Sequence, residues 1–195
     1  MHSSSNSSKE PTLEYLLLLT KKFEPGIIFN LNISGRNISS IRNVSVCTRL
    51  YHLDASNNAI RDISALRNLD YLNYADLSFN LISDLEPLKN CSKLTSLMLQ
   101  ANQVNSMSEI NNLSSLRNLR SVYFMDISGK NENPVCNDKD YRKKVCSSLK
   151  NLKRIDGVPL KEEVPEYDKK DDKGLNLDNM ELDDGTEWYG DISKL

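Results

Sequence analysis

The chain has 195 residues, of which 38% are hydrophobic and 27% are charged, and its formal net charge is −2. This length and apolar content suffice for one domain with a hydrophobic core. The near-neutral charge gives no reason to expect a nucleic acid or a membrane as partner. The longest leucine-rich run, residues 15–19, is far too short to span a bilayer.

The first segment, MHSSSNSSKEP (residues 1–11), lacks the apolar stretch of a signal peptide, so we expect a disordered leader and an intracellular protein. Residues 12–27 follow it. They place Leu13, Leu16, Leu17 and Phe23 at helical spacing, which predicts a helical cap for the N-terminal end of the fold.

From residue 28 onwards, one pattern of apolar residues recurs every 22 residues. Units begin at Ile28, Leu50, Leu72 and Leu94, and a modified unit begins at Leu119. Each unit opens with alternating apolar residues, typical of a strand, and continues with an apolar residue at every third position, typical of a helix or 3-10 turn. Such a period predicts a solenoid of stacked units.

This pattern resembles the leucine-rich repeat, L-x-x-L-x-L-x-x-N-x-L, in its intracellular 22-residue class. Asn58, Asn80 and Asn102 occupy the N position of successive units. The resemblance implies that these amides point inward and bind backbone groups as a structural ladder, because a buried amide needs partners. The first unit has Arg36 at this position and Asn37 beside it, so either its turn differs or Asn37 substitutes.

The resemblance also implies the fold class. We expect an α/β, right-handed leucine-rich-repeat solenoid of about five repeats, with a concave parallel sheet and convex helical or 3-10 segments. The segment after Asn133-Pro134 resembles the C-terminal cap of this class, with a helix that carries Tyr141 and Val145. The fifth unit holds an insertion, DISGKNEN, before that cap. Repeats and C-terminal cap are assigned to residues 28–157, and residues 158–195 to a tail.

The cysteines form no C-x-x-C motif and no cluster with histidine. Cys47 and Cys91 take the places of core leucines, whereas Cys136 and Cys146 lie in the cap, where they could approach each other. We expect reduced thiols and no zinc or other metal.

Catalytic signals are equally sparse. His52 and Asp54 share one face of a strand and have the form of an acid–base pair, but no nucleophile or glycine-rich phosphate loop accompanies them. We therefore expect no enzyme activity, no cofactor and no small-molecule substrate.

The outward positions of the predicted strands define a concave face, which is the first candidate for protein binding. These positions carry no Lys or Arg, which disfavours direct nucleic-acid binding, whereas Tyr and Met are enriched at protein interfaces. A solvated sheet without a ligand is the alternative interpretation. The candidates are His52, Asp54, Tyr74, Asp76, Ser78, Met98, Gln100, Tyr123 and Met125. The other outward positions are Asn30, Asn32, Ser34, Ser56, Ser96 and Ser121.

Two further surfaces are suggested by charge. A basic patch in the cap suits an acidic partner or the chain's own tail, or is simply a solvated helix. Its residues are Arg142, Lys143, Lys144, Lys150, Lys153 and Arg154. The tail holds five lysines and twelve acidic residues, so we expect it to be mostly disordered. Trp188 and Tyr189 near its end suggest a docking peptide, although a tail without a partner fits equally well.

The function implied by the residues is a non-enzymatic protein–protein interaction adaptor. The segment DLEPLKNCSKLTSLMLQANQV and the insertion before NPVC resemble the ciliary and axonemal branch of the class, which includes the small leucine-rich-repeat-containing protein sixty-one. This implies a structural or regulatory part of a cytoskeletal assembly in the cytoplasm or cilium, with axonemal, dynein or tubulin-associated partners.

Three other functions occur in the same class. A spliceosomal adaptor similar to U2 A-prime would be nuclear and would bind an RNA-binding domain on its concave face. A phosphatase regulatory subunit usually has about twice as many repeats as this chain can supply. An acidic chaperone would carry a more continuous acidic tail.

Overall fold

A computed structural model of the chain describes residues 9–160. In this part, one sheet of seven strands lies in chain order; strands one to six are parallel, and the seventh is antiparallel to the sixth. The strands are β1 (Asn30–Asn32), β2 (His52–Asp54), β3 (Tyr74–Asp76), β4 (Ser96–Met98), β5 (Ser121–Tyr123), β6 (Arg154–Ile155) and β7 (Val158–Pro159).

The 22-residue period sets the register of the sheet. Leu31 pairs with Leu53, Leu53 with Ala75, and Ala75 with Leu97, each one repeat further along the chain. These middle residues are buried while the residues on either side face outward, because successive side chains of a strand point to opposite faces. The predicted leucine-rich-repeat solenoid is confirmed.

The convex side consists of short segments, since apolar residues at every third position suit the three-residue turn of a 3-10 helix. Leu66 and Leu88 of these segments are fully buried against the strands. The N-terminal helix is α1 (Leu13–Thr20), and the fourth repeat has a short helix, α2 (Met107–Asn111), in place of a 3-10 segment. The 3-10 segments are Pro25–Ile27, Arg42–Val46, Ser64–Leu66, Glu86–Asn90 and Pro134–Asn137.

The predicted asparagine ladder is confirmed. Asn80 is only 4% exposed, and its Nδ2 donates to the carbonyls of Ala55, Leu77 and Ser78 at 3.0, 3.0 and 3.1 Å. Its Oδ1 accepts from the Ile60 N–H at 3.0 Å. One side chain therefore ties the strand exit of its own repeat to that of the preceding repeat.

Asn58 and Asn102 make equivalent bonds in the neighbouring repeats. Asn133 adds a rung beyond the insertion, because its Nδ2 donates to the carbonyls of Leu99 and Phe124, both at 2.7 Å. The ladder is thus continued across the break in the period.

The first repeat turns differently, as its Arg36 predicts. Asn37 does not substitute for the missing rung, since it is exposed and has a φ of +53°. The Ile38 N–H donates to Oδ1 of Asn58 at 2.9 Å, as the equivalent N–H does in the next two repeats, and the Arg36 N–H adds a bond to the same oxygen at 3.1 Å. The second repeat completes the turn of the first.

The N-terminal cap is built on α1. Thr12 caps the helix through Oγ1, which accepts from the Tyr15 N–H at 3.1 Å, and Leu16 is fully buried. The prediction that Phe23 packs in this cap is wrong: the helix ends at a left-handed Lys21, and Phe23 is 86% exposed.

The cap also begins earlier than predicted. The sequence predicts a disordered leader up to residue 11, but the Lys9 N–H donates to Ser39 Oγ and the Ser39 N–H donates to the Lys9 carbonyl, both at 2.9 Å. Asn43 Nδ2 donates to the Pro11 carbonyl at 3.0 Å. The end of the predicted leader is therefore attached to the first repeat.

At the other end, the predicted cap helix is confirmed as α3 (Tyr141–Ser148). The Phe124 N–H, which would bond to the carbonyl of a following strand, donates instead to Oδ1 of the buried Asp156 at 2.8 Å. The Tyr141 hydroxyl donates to Oδ2 of the same carboxyl at 3.2 Å. Asp156, directly after the short strand β6, therefore supplies the acceptor that a longer strand would provide.

The predicted start of the tail at residue 158 is too early. Val158 and Pro159 form β7, and the Leu160 N–H donates to the Lys153 carbonyl at 2.9 Å.

The cysteines of the described residues are free thiols. Cys47 and Cys91 are fully buried in the positions predicted for core leucines. Burial raises the pKa of Cys47 to about 11 and that of Cys91 to about 12, which disfavours the reactive thiolate.

Candidate protein-binding surface

The concave face consists of two rows of side chains that the strand register aligns. Neighbours within a row lie on strands about 4.8 Å apart. The first row contains Asn30, His52, Tyr74, Ser96, Ser121 and Arg154. The second row contains Asn32, Asp54, Asp76, Met98 and Tyr123.

The first row ends in a cation. Arg154 of β6 pairs in register with Ser121 and is exposed. The expectation that the face carries no Lys or Arg is therefore wrong for the sixth strand. Arg154 therefore belongs to the concave face and not to the predicted basic patch.

The centre of the face is held by direct side-chain contacts. The rings of His52 and Tyr74 are stacked, with centroids 4.2 Å apart and an interplanar angle of 4°. The Tyr74 hydroxyl donates to Sδ of Met98 at 3.0 Å. Partial burial, with the nearby Asp76 and Asp54 carboxylates, raises the pKa of Tyr74 above its ordinary value, so the hydroxyl keeps its proton.

Two carboxylates lie beside this centre in the second row. Oδ1 of Asp54 accepts from the Ser56 N–H and hydroxyl at 3.1 and 2.8 Å. Oδ1 of Asp76 accepts likewise from Ser78, at 3.0 and 2.5 Å. Both serines are 6% exposed, so the prediction that Ser56 and Ser78 face solvent is wrong: they position the carboxylates.

Gln100 and Met125 lie just beyond the ends of their strands, at the edge of the face, and both are half-buried. Oε1 of Gln100 is buried and, within the described residues, has no hydrogen-bond partner. A buried acceptor without a donor lowers the stability of the fold.

The predicted basic patch is divided between elements. Arg142, Lys143 and Lys144 lie on α3, where Lys144 pairs with Asp138. Nη1 of Arg142 lies 3.8 Å from Oδ2 of the buried Asp156, which makes this arginine part of the cap. Lys150 and Lys153 follow the helix on the way to β6. The tail candidates Trp188 and Tyr189 lie outside the described residues.

The site offers binding groups rather than a recognisable catalytic set. His52 is stacked on Tyr74, whereas the Asp54 carboxylate accepts from Ser56 and, at 3.0 Å, from Asn32 Nδ2. Residues 9–160 contain no group of three potential metal ligands, and no helix among them has the length and hydropathy of a membrane span.

Comparison with known proteins agrees with this geometry. Residues 19–173 match the family model described as leucine-rich repeat. The chain is similar to one in the crystal structure of the Drosophila melanogaster SNF/U2A′ complex, with a TM-score of 0.58 and 23% identity over 68% of this chain and 75% of that chain. It is also similar to an internalin C2 from Listeria monocytogenes, with a TM-score of 0.50 and 25% identity over 74% of this chain and 55% of that chain. No curated protein matches it.

Proposed function

Because the chain belongs to the leucine-rich repeat family, we propose that it is a non-enzymatic adaptor that binds a protein on the concave face of its solenoid. The observation that carries this proposal is the ordered centre of the face, where Tyr74 contacts both His52 and Met98 across three strands. Aromatic and methionine side chains fixed in this way form a contact surface that loses little conformational entropy on binding.

The chemistry of the face indicates the kind of segment that it accepts. Asp54 and Asp76 lie beside the aromatic centre, so the face combines apolar side chains with negative charge. A protein segment that presents an apolar side chain between Lys or Arg residues would match both features. The exposed Arg154 at the end of the first row favours an acidic residue at the corresponding end of the segment.

We place this adaptor in a cytoskeletal or axonemal assembly of the cytoplasm or cilium, with dynein- or tubulin-associated partners. The support is the resemblance of residues 84–104 and of the insertion before Asn133 to ciliary members of the family. A nuclear, spliceosomal adaptor is the second candidate. It is favoured by the similarity to U2A′, which was crystallised in complex with SNF.

The test is affinity purification of the tagged full chain from its native cells, with and without ribonuclease. Tyr74→Ala/Met98→Ala removes the centre of the concave face. Phe23→Ala/Val46→Ala removes two exposed apolar side chains away from it and serves as the matched control. We expect partners to be lost with the concave variant and kept by the control, with unchanged melting temperatures.

Partners that both variants retain would contradict concave binding. Dynein or tubulin-associated partners that resist ribonuclease would support the axonemal assembly. Co-purification of an RNA-binding protein, together with further components that ribonuclease releases, would support the spliceosomal assembly instead.

A further inference from the structure

A second exposed surface lies at the edge of the sheet where the strands begin. Phe29 is 48% exposed, and Tyr51 and Tyr71 are each 51% exposed. These three rings line one surface cavity together with Asn30 and Arg49. Exposed apolar side chains that share a cavity are a mark of interaction sites, whereas scattered ones are not.

The repeat itself generates this arrangement. Phe29 and Tyr51 directly precede β1 and β2, and the Tyr51 N–H donates to the Phe29 carbonyl at 2.8 Å. Arg49, Tyr71 and Lys93 recur 22 residues apart, in a second row beside the first. We call these five residues the entry edge. Because neighbouring strands are about 4.8 Å apart, the backbone holds their side chains in a regular array.

The entry edge is positively charged. Nζ of Lys93 lies 4.1 Å from the centroid of the Tyr71 ring, which holds this cation over an aromatic face. Arg49 is exposed on the opposite side of Tyr71 in the row. The five residues of the entry edge include two cations and no carboxylate, although Asp70 is next to Tyr71 in the sequence, in contrast to the concave face with Asp54 and Asp76.

We propose that the entry edge is a second docking surface, which binds an acidic segment of a protein partner that also carries aromatic or apolar side chains. Its carboxylates would pair with Arg49 and Lys93, and its apolar groups would cover Phe29, Tyr51 and Tyr71. Two cations beside Asp70 are too few to hold the phosphates of a nucleic acid, so charge favours a peptide. This surface is distinct from the concave face and does not depend on the function proposed for it.

The experiment measures binding of the full chain to a fluorescein-labelled peptide of alternating Glu and Tyr residues, by fluorescence anisotropy at low salt. A matched peptide has Lys in place of Glu, and a labelled single-stranded oligonucleotide serves as competitor. Arg49→Glu/Lys93→Glu reverses the charge of the entry edge, and Tyr51→Ser/Tyr71→Ser removes two rings. Arg42→Glu/Arg61→Glu makes the same change of net charge outside the entry edge, at two exposed residues.

We expect saturable binding of the Glu–Tyr peptide, weakened at least about tenfold by the entry-edge reversal and by the ring variant, and changed less than about twofold by the control. The reversed variant should gain affinity for the Lys–Tyr peptide. Tyr74→Ala/Met98→Ala should bind like the wild type, which separates this surface from the concave one.

Three results would overturn the proposal. One is an equal loss in the entry-edge and control reversals, which would indicate net charge alone. Another is no saturable binding of the acidic peptide. The third is an oligonucleotide that displaces the peptide and itself loses affinity in the entry-edge variants, which would assign the surface to nucleic acid.

Discussion

Single side chains at the strand exits take the place of backbone hydrogen-bond partners, and Asn80 is the central example. Its amide satisfies three carbonyls and one N–H in a buried position. Asn80→Ala leaves these groups without partners, and we expect a loss of about 1–3 kcal/mol in the free energy of unfolding. Urea denaturation measures this loss, with the exposed Asn68→Ala as control. Equal stabilities of the two variants would contradict a structural ladder.

Asp156 leads to a prediction about pH. Burial raises the pKa of this carboxyl, although its hydrogen bonds to the Phe124 and Met125 N–H groups act in the opposite direction. The folded chain therefore binds the proton more tightly than the unfolded chain. The stability that this group contributes is fully present below the ordinary Asp pKa of about 3.9 and is lost as the pH rises through the raised pKa.

We expect Asp156→Asn to remove this dependence, because an amide does not titrate in this range. The free energy of unfolding of the wild type relative to this variant should be higher at about pH 4 than at pH 7. Urea titrations of both proteins at the two pH values test this. A relative stability that increases towards pH 7 would mean that the ion pair with Arg142 dominates and that the pKa is lowered.

The structural role of a residue could be predicted where the 22-residue period specifies its position. The ladder positions Asn58, Asn80 and Asn102 follow from spacing alone, as do the buried cysteines in place of leucine. Spacing did not predict that Ser56 and Ser78 are buried, because the strands end at Asp54 and Asp76 and each serine hydroxyl then donates to the carboxylate two residues before it.

At the scale of elements, the insertion after β5 is ordered by one carboxylate. Asp126 accepts from the Ser128 N–H and hydroxyl, from the Lys130 N–H and from Asn131 Nδ2. These bonds lower the pKa of Asp126, so its contribution persists to acidic pH. The insertion is therefore a structured loop rather than an open one.

We expect Asp126→Ala to open this loop locally without unfolding the solenoid, since regions with few buried contacts unfold separately from the core. Trypsin cleavage after Lys130 should become faster, while the melting temperature changes little. Asp70→Ala, at an exposed acid outside the loop, is the control. A large fall in melting temperature would show instead that the loop supports the core.

The elements were predictable as far as the 22-residue period extends. It specified β1 to β4 and the convex segments, because each strand lies opposite its equivalent in the next repeat. The insertion and cap interrupt that period. As a result the sequence did not reveal β7, the place of Arg154 on the concave face or the role of Asp156, all of which depend on contacts across the cap.

For the whole molecule, the solenoid architecture determines how many repeats are destabilised by a substitution in one of them. A central repeat contacts neighbours on both sides, whereas a terminal cap contacts a neighbour on one side only, so the stability of a repeat depends on its position. Leu97 in β4 and Leu16 in α1 are both fully buried leucines and differ mainly in this respect. They form a matched pair for testing the idea.

We expect Leu97→Ala to cost about 2–5 kcal/mol and to lower the stability of the whole domain, because the cavity that it leaves lies between two packed repeats. Leu16→Ala should cost less globally, because α1 has eight residues and can detach while the repeats stay folded. Hydrogen exchange distinguishes the two outcomes: faster exchange in all strands for Leu97→Ala, and in α1 and the first repeat for Leu16→Ala. Uniform acceleration by Leu16→Ala would show that the cap and all repeats unfold as one cooperative unit.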